Sequence, residues 1–248
     1  MKYMIAWLSL ITLTFAMPVD TEKECTLHKG VPVLGEIVKT QGRAKVFIGP
    51  DDLGQRTKEG MRLRAGYKII TYKDSNVILR LEDNSSVILN ENAELSFIDA
   101  QSLKQEKGEV YYKIKKRAKI KGLKIQTPFS IIGIKGTEFI VDANKTEIAL
   151  NEGLIGIESL RAEFELHKQK VMQEYEKYKQ KQMDGFKAYK SKTENEIVSY
   201  VKEFDLEEGK VLYFTEADKC EKDCENHVNE EALSDNLKER FKIYKEML

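Results

Sequence analysis

The sequence is poor in the residues and motifs that build catalytic centres. Its 248 residues include only three histidines, His28, His167 and His227. Neither a Gly-x-Ser-x-Gly nucleophile motif nor a His-Glu-x-x-His metal motif occurs in the chain. Acidic residues are plentiful, but they fall on faces that the local pattern marks as solvated. The sequence therefore predicts a non-catalytic protein that uses no cofactor.

The chain also lacks an excess of charge of either sign. It has 41 basic and 41 acidic residues, so its formal net charge is zero. Such a balance gives no long-range field toward nucleic acid or an anionic membrane, and nucleic acid is not expected as a partner. The local exception is "KIKKRAKIK", residues 113–121. It is typical of a solvated hairpin tip or a lysine-protected edge strand, with contact to an anionic surface as the alternative.

Long apolar runs are scarce as well, and the clearest one is at the N-terminus. Lys2 precedes "MIAWLSLITLTF", and residues 14–16, "TFA", resemble a small-residue cleavage site. The run is short for a bilayer span, which takes about 20 residues. Residues 1–16 are therefore predicted to be a signal peptide, with an uncleaved anchor as the alternative. The mature chain is expected in the periplasm, with no transmembrane segment.

Cysteine is limited to Cys25, Cys220 and Cys224. An oxidising compartment favours one disulfide among them and leaves one thiol over, with the connectivity open. The same cysteines, with His28 and His227, form a set that zinc would accept, but their spacing is not a recognised zinc pattern. The sequence therefore predicts a disulfide and no metal site.

Residues 31–157 show the alternation of apolar and polar side chains that is typical of strands. In "NVILRL", for example, Val77, Leu79 and Leu81 share one face, and Asp83-Asn84 then signals a tight turn. Strands of this length recur about every ten residues with turn residues between them. The pattern predicts a mainly β domain, a β-sandwich or β-solenoid.

Two glycines in "KIQTPFSIIGIKGTEFIV", residues 124–141, raise the possibility of a binding loop. A GxxG loop of the KH type joins two helices, and a phosphate-binding Walker loop opens a helix. Here the flanking residues are β-branched or aromatic and favour strand. Gly133 and Gly136 are therefore interpreted as kink or bulge positions in a β-structure.

Residues 158–204 change character and predict an α-helical insertion. The segment has no proline and is rich in Glu, Lys and Gln, with apolar residues at helical spacing. One long helix, suited to a coiled coil, and a helical hairpin remain equally compatible with it. Its aromatic residues form the candidate partner surface, through which self-association is also possible: Tyr175, Tyr178, Phe186 and Tyr189.

Strand character returns at residues 205–216, "DLEEGKVLYFTE", and a lone strand is not stable alone. This segment is therefore expected to rejoin the β-domain as a returning strand. The remaining residues, 217–248, form a tail. Leu233, Leu237, Phe241, Tyr244 and Leu248 within it predict a C-terminal amphipathic helix.

Four blocks of the β-region follow one another in a recognisable order: "GMRLRAGYKIITYKDSNVILRLEDNSSVILNENAELSF", "KGEVYYKIKK", "LKIQTPFSIIGIKGTEFIV" and "TEIALNEGLIGIESL". Their marker positions are Leu63 and Gly66, Ile69 and Thr71, Thr127 and Pro128, Gly136, Thr137 and Phe139, and Glu152 and Gly153. Together the blocks resemble the FecR-like domain, the periplasmic β-domain named for the ferric-citrate regulator. The resemblance covers residues 31–157 and 205–215 and implies turns at Gly66 and Gly153.

The resemblance implies a fold, an envelope location and a habit of binding proteins. Regulators of this family carry an anti-sigma segment and a transmembrane helix before the domain, where this sequence shows a signal peptide. We therefore expect a non-catalytic interaction or scaffold protein of the bacterial cell envelope, with other envelope proteins as partners. The alternative is a periplasmic sensor or regulator in cell-surface signalling that acts through a separate membrane protein.

Overall fold

Strands occupy most of the described chain. The computed structural model describes residues 31–49, 52–115, 122–134, 136–169, 196–216 and 226–248. In chain order the strands are β1 (Val33–Gln41), β2 (Ala44–Ile48), β3 (Gln55–Arg56), β4 (Arg62–Arg64), β5 (Tyr67–Thr71), β6 (Asn76–Leu81), β7 (Ser86–Leu89), β8 (Glu94–Asp99), β9 (Ser102–Lys107), β10 (Glu109–Lys113), β11 (Leu123–Gln126), β12 (Ile131–Ile134), β13 (Glu138–Asp142), β14 (Glu147–Glu152), β15 (Leu154–Glu158), β16 (Phe164–Gln169), β17 (Glu196–Val201), β18 (Glu203–Glu207), β19 (Lys210–Glu216) and β20 (Asn226–Ala232). A helix, α1 (Asp235–Met247), follows β20. The prediction of a mainly β fold with a C-terminal helix is confirmed.

The strands form two sheets, which we call sheet A and sheet B. Sheet A has 11 strands in the order β17-β16-β20-β19-β14-β13-β10-β7-β6-β1-β4. Sheet B has 9 strands in the order β18-β15-β12-β11-β9-β8-β5-β2-β3. Most neighbours are antiparallel, whereas β9 with β11 and β16 with β20 are parallel. The chain crosses repeatedly between the sheets: β6 and β7 lie in sheet A, β8 and β9 in sheet B, and β10 in sheet A again.

The main hydrophobic core takes side chains from both sheets. Leu79 and Phe139 of sheet A and Ile69 and Leu95 of sheet B are fully buried in the same cluster. These residues are the inward members of the period-two pattern, because alternate side chains of a strand point to opposite faces. Tyr112 stacks on Phe139, with ring centroids 4.9 Å apart. The alternation seen in the sequence therefore marks the face of each strand that builds this core.

α1 builds a second apolar cluster on the outer face of sheet A. Leu237, Phe241 and Tyr244 are the buried residues of the helix, and the ring of Tyr111 stacks on Tyr244 at 5.0 Å. The outward residues of sheet A that share this cluster are Ile78, Ile88, Tyr111, Ile140, Ala149 and Val211. Strands such as β13 are therefore buried on both faces, which explains their continuous apolar sequence.

Glycines at three turns adopt a backbone conformation that side chains rarely tolerate. The φ angle is +84° at Gly66, between β4 and β5, +73° at Gly136, before β13, and +97° at Gly153, between β14 and β15. Gly133 differs, because it lies within β12 and its pairings with β11 and β15 run without a register shift. It is therefore a regular strand residue, unlike the kink or bulge expected there.

The helical insertion expected over residues 158–204 is wrong at both of its ends. Residues 164–169 form β16 and residues 196–201 form β17, and the two strands pair antiparallel at the edge of sheet A. β18 then begins at Glu203 and pairs with β15. In β16, Phe164 and Leu166 point to the core and alternate with Glu165, a period of two that the surrounding Glu-rich and Lys-rich sequence obscures. Residues 170–195 lie outside the described part of the chain.

The chain after residue 203 returns to both sheets. β18 extends sheet B, and β19 pairs with β14 in sheet A. β20, a strand within the tail that the sequence pattern left unassigned, lies between β19 and β16. Ser234 caps α1, because its Oγ accepts a hydrogen bond from the backbone N–H of Leu237 at 3.3 Å. Within the described residues, no helix has the length and apolar character of a membrane span.

Candidate partner-binding site

The outer faces of the two sheets are covered differently. α1 covers the middle strands of sheet A, whereas among the described residues no helix packs on sheet B. The outward side chains of sheet B include ion pairs: Lys68 Nζ lies 3.0 Å from Glu94 Oε1, and Lys104 pairs with Glu106. The hydrogen bond from Lys104 lowers the pKa of the Glu106 carboxyl. Sheet B therefore offers the more accessible sheet face within the described part of the fold.

A depression in this face, which we call the glycine trough, lies over two paired strands. Gly133 of β12 and Gly156 of β15 are direct partners in the antiparallel ladder, so two neighbouring outward positions carry no side chain. The resulting cavity has a volume of about 470 Å³. Its walls include Lys124, Ile131, Glu158, Glu203, Phe204 and Asp205. The floor of the trough is therefore backbone, and its walls are mixed polar and apolar.

The fold does not require glycine at either floor position. A Cβ atom built on Gly133 would meet only the carbonyl oxygen of Gly156, at 3.9 Å, and one on Gly156 would meet Asp205 Oδ1 at 3.6 Å. Both distances are ordinary van der Waals contacts, and neither glycine has a positive φ angle. Glycine inside a strand is in general destabilising relative to residues with a side chain. The trough is therefore a property of the surface and not a requirement of the backbone.

The charge around the trough is mostly negative. Three carboxylates, those of Glu158, Glu203 and Asp205, line it together with one ammonium group, that of Lys124. Glu203 and Asp205 lie on β18, the terminal strand of sheet B. Sheet edges can accept an added strand from a partner. The geometry thus suits an extended segment with basic side chains.

A second polar cluster lies between sheet A and α1. Arg240 of α1 reaches three carboxylates: it pairs with Glu109, its Nη1 lies 3.2 Å from Glu147 Oε1, and its Nη2 lies 3.9 Å from Asp142 Oδ2. Tyr244 donates a hydrogen bond to Glu109. Burial lowers the pKa of Arg240 and raises the pKa of Glu147. This cluster fastens the helix to the sheet.

A third group combines a carboxylate with two imidazoles near the other end of sheet A. Glu165 and His167 of β16 and His227 of β20 are arranged so that one ligand atom from each lies within 4.8 Å of the others. The sequence prediction missed Glu165 and His167, because it assigned them to a helix. The signal that could have found them is their spacing of two residues, which in a strand places both side chains on one face.

The remaining predicted site residues fall outside the described residues. These are the candidate disulfide residues Cys25, Cys220 and Cys224 and the candidate partner surface Tyr175, Tyr178, Phe186 and Tyr189. The signal peptide, residues 1–16, and most of the basic stretch 113–121 fall outside them as well. These predictions stay predictions.

This chain is similar to one solved protein structure and to one family model. A search of curated protein sequences finds no match. Two crystal structures of a candidate anti-sigma factor from Parabacteroides distasonis ATCC 8503, at 1.65 and 2.50 Å resolution, align with a TM-score of 0.41 and 10% identity. The alignment covers 66% of this chain and 59% of that one, so this chain spans less than two thirds of the solved protein.

The family comparison concerns the middle of the chain. Residues 67–156 match the family model described as FecR protein. The matched span runs from the start of β5 into β15 and includes Gly133 and Gly156, the floor of the glycine trough. Residues 67–156 thus carry the FecR-like domain that the sequence motifs predicted.

Proposed function

We propose that this protein is a non-catalytic, protein-binding component of the bacterial cell envelope that works in the periplasm. The FecR match over residues 67–156 supports the proposal, since that domain is named for a periplasmic regulator. The predicted signal peptide at residues 1–16 agrees with the same location. The partner is another envelope protein, bound either as part of a scaffold or for regulation.

The observation that carries the proposal is the glycine trough. Its two floor glycines leave backbone accessible between side chains on a sheet face that no described helix covers. A partner segment in extended conformation fits such a floor, and basic side chains on it would complement Glu158, Glu203 and Asp205. Neither glycine is needed for folding, so the trough can be filled without damaging the domain.

The test is to fill the trough by mutation. The variant Gly133→Val places a β-branched side chain at a regular strand position with open space, and we expect its thermal stability to equal or exceed that of the unchanged protein. Capture of envelope partners by the tagged chain, with cross-linking and mass spectrometry, is expected to fall at least fivefold. Ser96→Val is the matched control, because Ser96 faces outward on β8, three strands away in sheet B.

The control should bind as the unchanged chain does. Equal partner capture by Gly133→Val and Ser96→Val would remove the trough from the proposal. The aromatic residues predicted as a partner surface, Tyr175 to Tyr189, would then be the next candidate. A chain in which residues 170–195 are replaced by a short Gly/Ser linker tests that surface and possible self-association in the same capture experiment.

A role as sensor or regulator in cell-surface signalling is the second candidate, favoured by the same FecR match. It differs from the scaffold role in the identity of the partner. A regulator of this kind would act through a separate membrane protein, so the cross-linked partner would carry a transmembrane segment. Recovery of only periplasmic or outer-membrane structural proteins would instead favour the scaffold role.

A further inference from the structure

The Glu165, His167 and His227 cluster is built by the register of sheet A. β16 and β20 run parallel, with Glu165 paired to His227. On its other side β16 pairs with β17, which places Tyr200 beside Glu165. The carboxylate thus has an imidazole on one neighbouring strand and a phenol on the other. Three separate segments of the chain meet at this point.

The carboxylate and the two imidazoles of the cluster are so deeply buried that they need hydrogen-bond or ionic partners. The side chain of Glu165 is 1% exposed, and those of His167 and His227 are 11% and 18% exposed. An ionised carboxylate at that depth is costly unless charges or hydrogen bonds compensate it. Glu165 Oε2 accepts a hydrogen bond from the Tyr200 hydroxyl at 2.9 Å. Glu165 Oε1 lies 2.8 Å from His167 Nε2.

His227 faces the Glu165 carboxylate with a ring nitrogen that makes no hydrogen bond within the described part of the chain. Its Nε2 lies 3.2 Å from Asn229 Oδ1, and since that oxygen only accepts, Nε2 carries a proton. Nδ1 is buried and has no hydrogen-bond partner among the described residues. It nevertheless lies 3.4 Å from Glu165 Oε1. An imidazole nitrogen and a carboxylate oxygen this close share a cation, which is either a proton on Nδ1 or a metal ion between the two atoms.

We propose that Glu165 Oε1, His167 Nε2 and His227 Nδ1 are ligands of a divalent transition-metal ion, with Zn²⁺ as the best fit. Zinc accepts imidazole nitrogen and carboxylate oxygen at about 2.0–2.2 Å, which separates neighbouring ligand atoms of a tetrahedral site by about 3.3 Å. The 3.4 Å between His227 and Glu165 matches that separation. The distance between His167 Nε2 and Glu165 Oε1 is 2.8 Å. It would lengthen slightly when the metal replaces the proton that these two atoms share.

Two further residues hold the ligands in position. Tyr200 fixes the carboxylate through Oε2, and Asn229 fixes the tautomer of His227 through Nε2. Partners of this kind orient metal ligands and raise affinity. Three protein ligands leave one tetrahedral position for water or another donor. The bound ion would link β16 to β20 and so tie together strands that are far apart in sequence.

The test is metal titration of the purified full chain after treatment with a chelator. We expect one Zn²⁺ bound per chain by calorimetry, and a rise in the midpoint of thermal unfolding on addition of Zn²⁺. Co²⁺ should give visible absorption typical of a tetrahedral site. His167→Gln and His227→Gln are each expected to abolish Zn²⁺ binding, the rise in the unfolding midpoint and the Co²⁺ absorption. Tyr200→Phe should weaken binding by about tenfold.

The matched control is Glu163→Gln, since Glu163 is an exposed carboxylate two residues before Glu165 and should leave the affinity unchanged. Circular dichroism of each metal-free variant checks that the fold persists. Failure of the unchanged chain to bind Zn²⁺ would mean that a proton alone satisfies the cluster, and it would overturn the proposal. So would binding that survives both histidine changes but needs the cysteines.

Discussion

Glycine at position 153 meets two separate requirements, a positive φ angle and a close approach. Its φ is +97°, and an added Cβ would lie 2.9 Å from the carbonyl oxygen of Gly136 and 2.8 Å from Thr137 Cγ2. We expect Gly153→Ala to lower the free energy of unfolding by about 2–4 kcal/mol, from backbone strain and the clash together. Urea unfolding followed by circular dichroism measures the loss.

Gly66→Ala is the matched control for Gly153→Ala. Its φ is +84°, but nothing lies within 4 Å of an added Cβ. Gly66→Ala should therefore show the strain alone, a loss of about 1–2 kcal/mol. If both substitutions lowered the free energy of unfolding equally, the clash of the added Cβ at position 153 with Gly136 and Thr137 would not contribute to the loss.

The sequence pattern identifies the inward positions of the strands, but it does not show how a polar residue at such a position is satisfied. Gln105 is fully buried; its Nε2 donates to the carbonyls of Gly108 and Val141 at 2.9 and 3.0 Å. The Tyr112 hydroxyl donates to its Oε1 at 2.9 Å. The alternation marks position 105 as inward, yet its carbonyl partners belong to a turn and a distant strand. In the sequence, a polar residue at such a position interrupts the apolar pattern. Only the structure shows the hydrogen-bond partners that allow it to be buried.

At the scale of elements, α1 depends on a few buried side chains. Phe241 is 2% exposed and packs edge-on against Tyr111, with ring centroids 6.3 Å apart. We expect Phe241→Ala to cost about 3–5 kcal/mol of unfolding free energy, the usual range for removing a buried aromatic ring. Ile243, on the exposed side of the helix, is 49% exposed. Ile243→Ala should change stability by no more than about 0.5 kcal/mol; similar losses in both variants would contradict the packing of α1.

The hairpin β16–β17 allows a second test of an element. Gln169 and Glu196 are partners in the ladder, so the two strand ends already lie side by side. Replacing residues 170–195 by a short Gly/Ser turn should therefore keep the strand signal in circular dichroism, because closing a shorter loop between adjacent ends costs little free energy. Removing residues 158–204 would delete β16, β17 and the start of β18 and should lower the unfolding midpoint strongly. Loss of strand signal in the shorter replacement would contradict the β16–β17 pairing.

Pairing between distant segments is what the sequence could not show. Gly133 and Gly156 are both visible in the sequence, but only the register of β12 with β15 places them side by side to form the trough. The parallel pairing of β16 with β20 likewise brings Glu165 to His227. Periodicity reports which face a residue occupies and carries no information on which strand lies next to it. The blocks of the FecR-like domain were recognisable because their order along the chain is itself the signal.

For the molecule as a whole, buried tyrosines limit stability in alkaline solution. Burial raises the pKa of Tyr244 to about 12, and it also raises the pKa values of Tyr111 and Tyr112. The unfolded chain has tyrosine pKa values near 10. Because the folded pKa is the higher one, this stability is complete below about pH 10 and is lost between about pH 10 and 12.

The free energy of unfolding is expected to fall by at most about 1.4 kcal/mol per pH unit for each of these tyrosines. Urea unfolding between pH 9 and 11 measures this slope. Tyr244→Phe removes one titrating group and should reduce the slope by up to that amount, whatever its effect at neutral pH. An unchanged slope in this variant would show that the Tyr244 hydroxyl is accessible to solvent.

The alternation of the chain between its two sheets also sets the order in which strands can pair during folding. Within β6–β15 several consecutive strands pair with each other, namely β6 with β7, β8 with β9 and β13 with β14. By contrast, β19 must find β14 and β20 must find β16 across long stretches of sequence. Nearby contacts form first, because closing a long loop is entropically costly. We therefore expect the folding nucleus to lie within β6–β15. Leu79→Ala should then mainly slow refolding, while Val228→Ala in β20 mainly accelerates unfolding, as stopped-flow kinetics in urea would resolve.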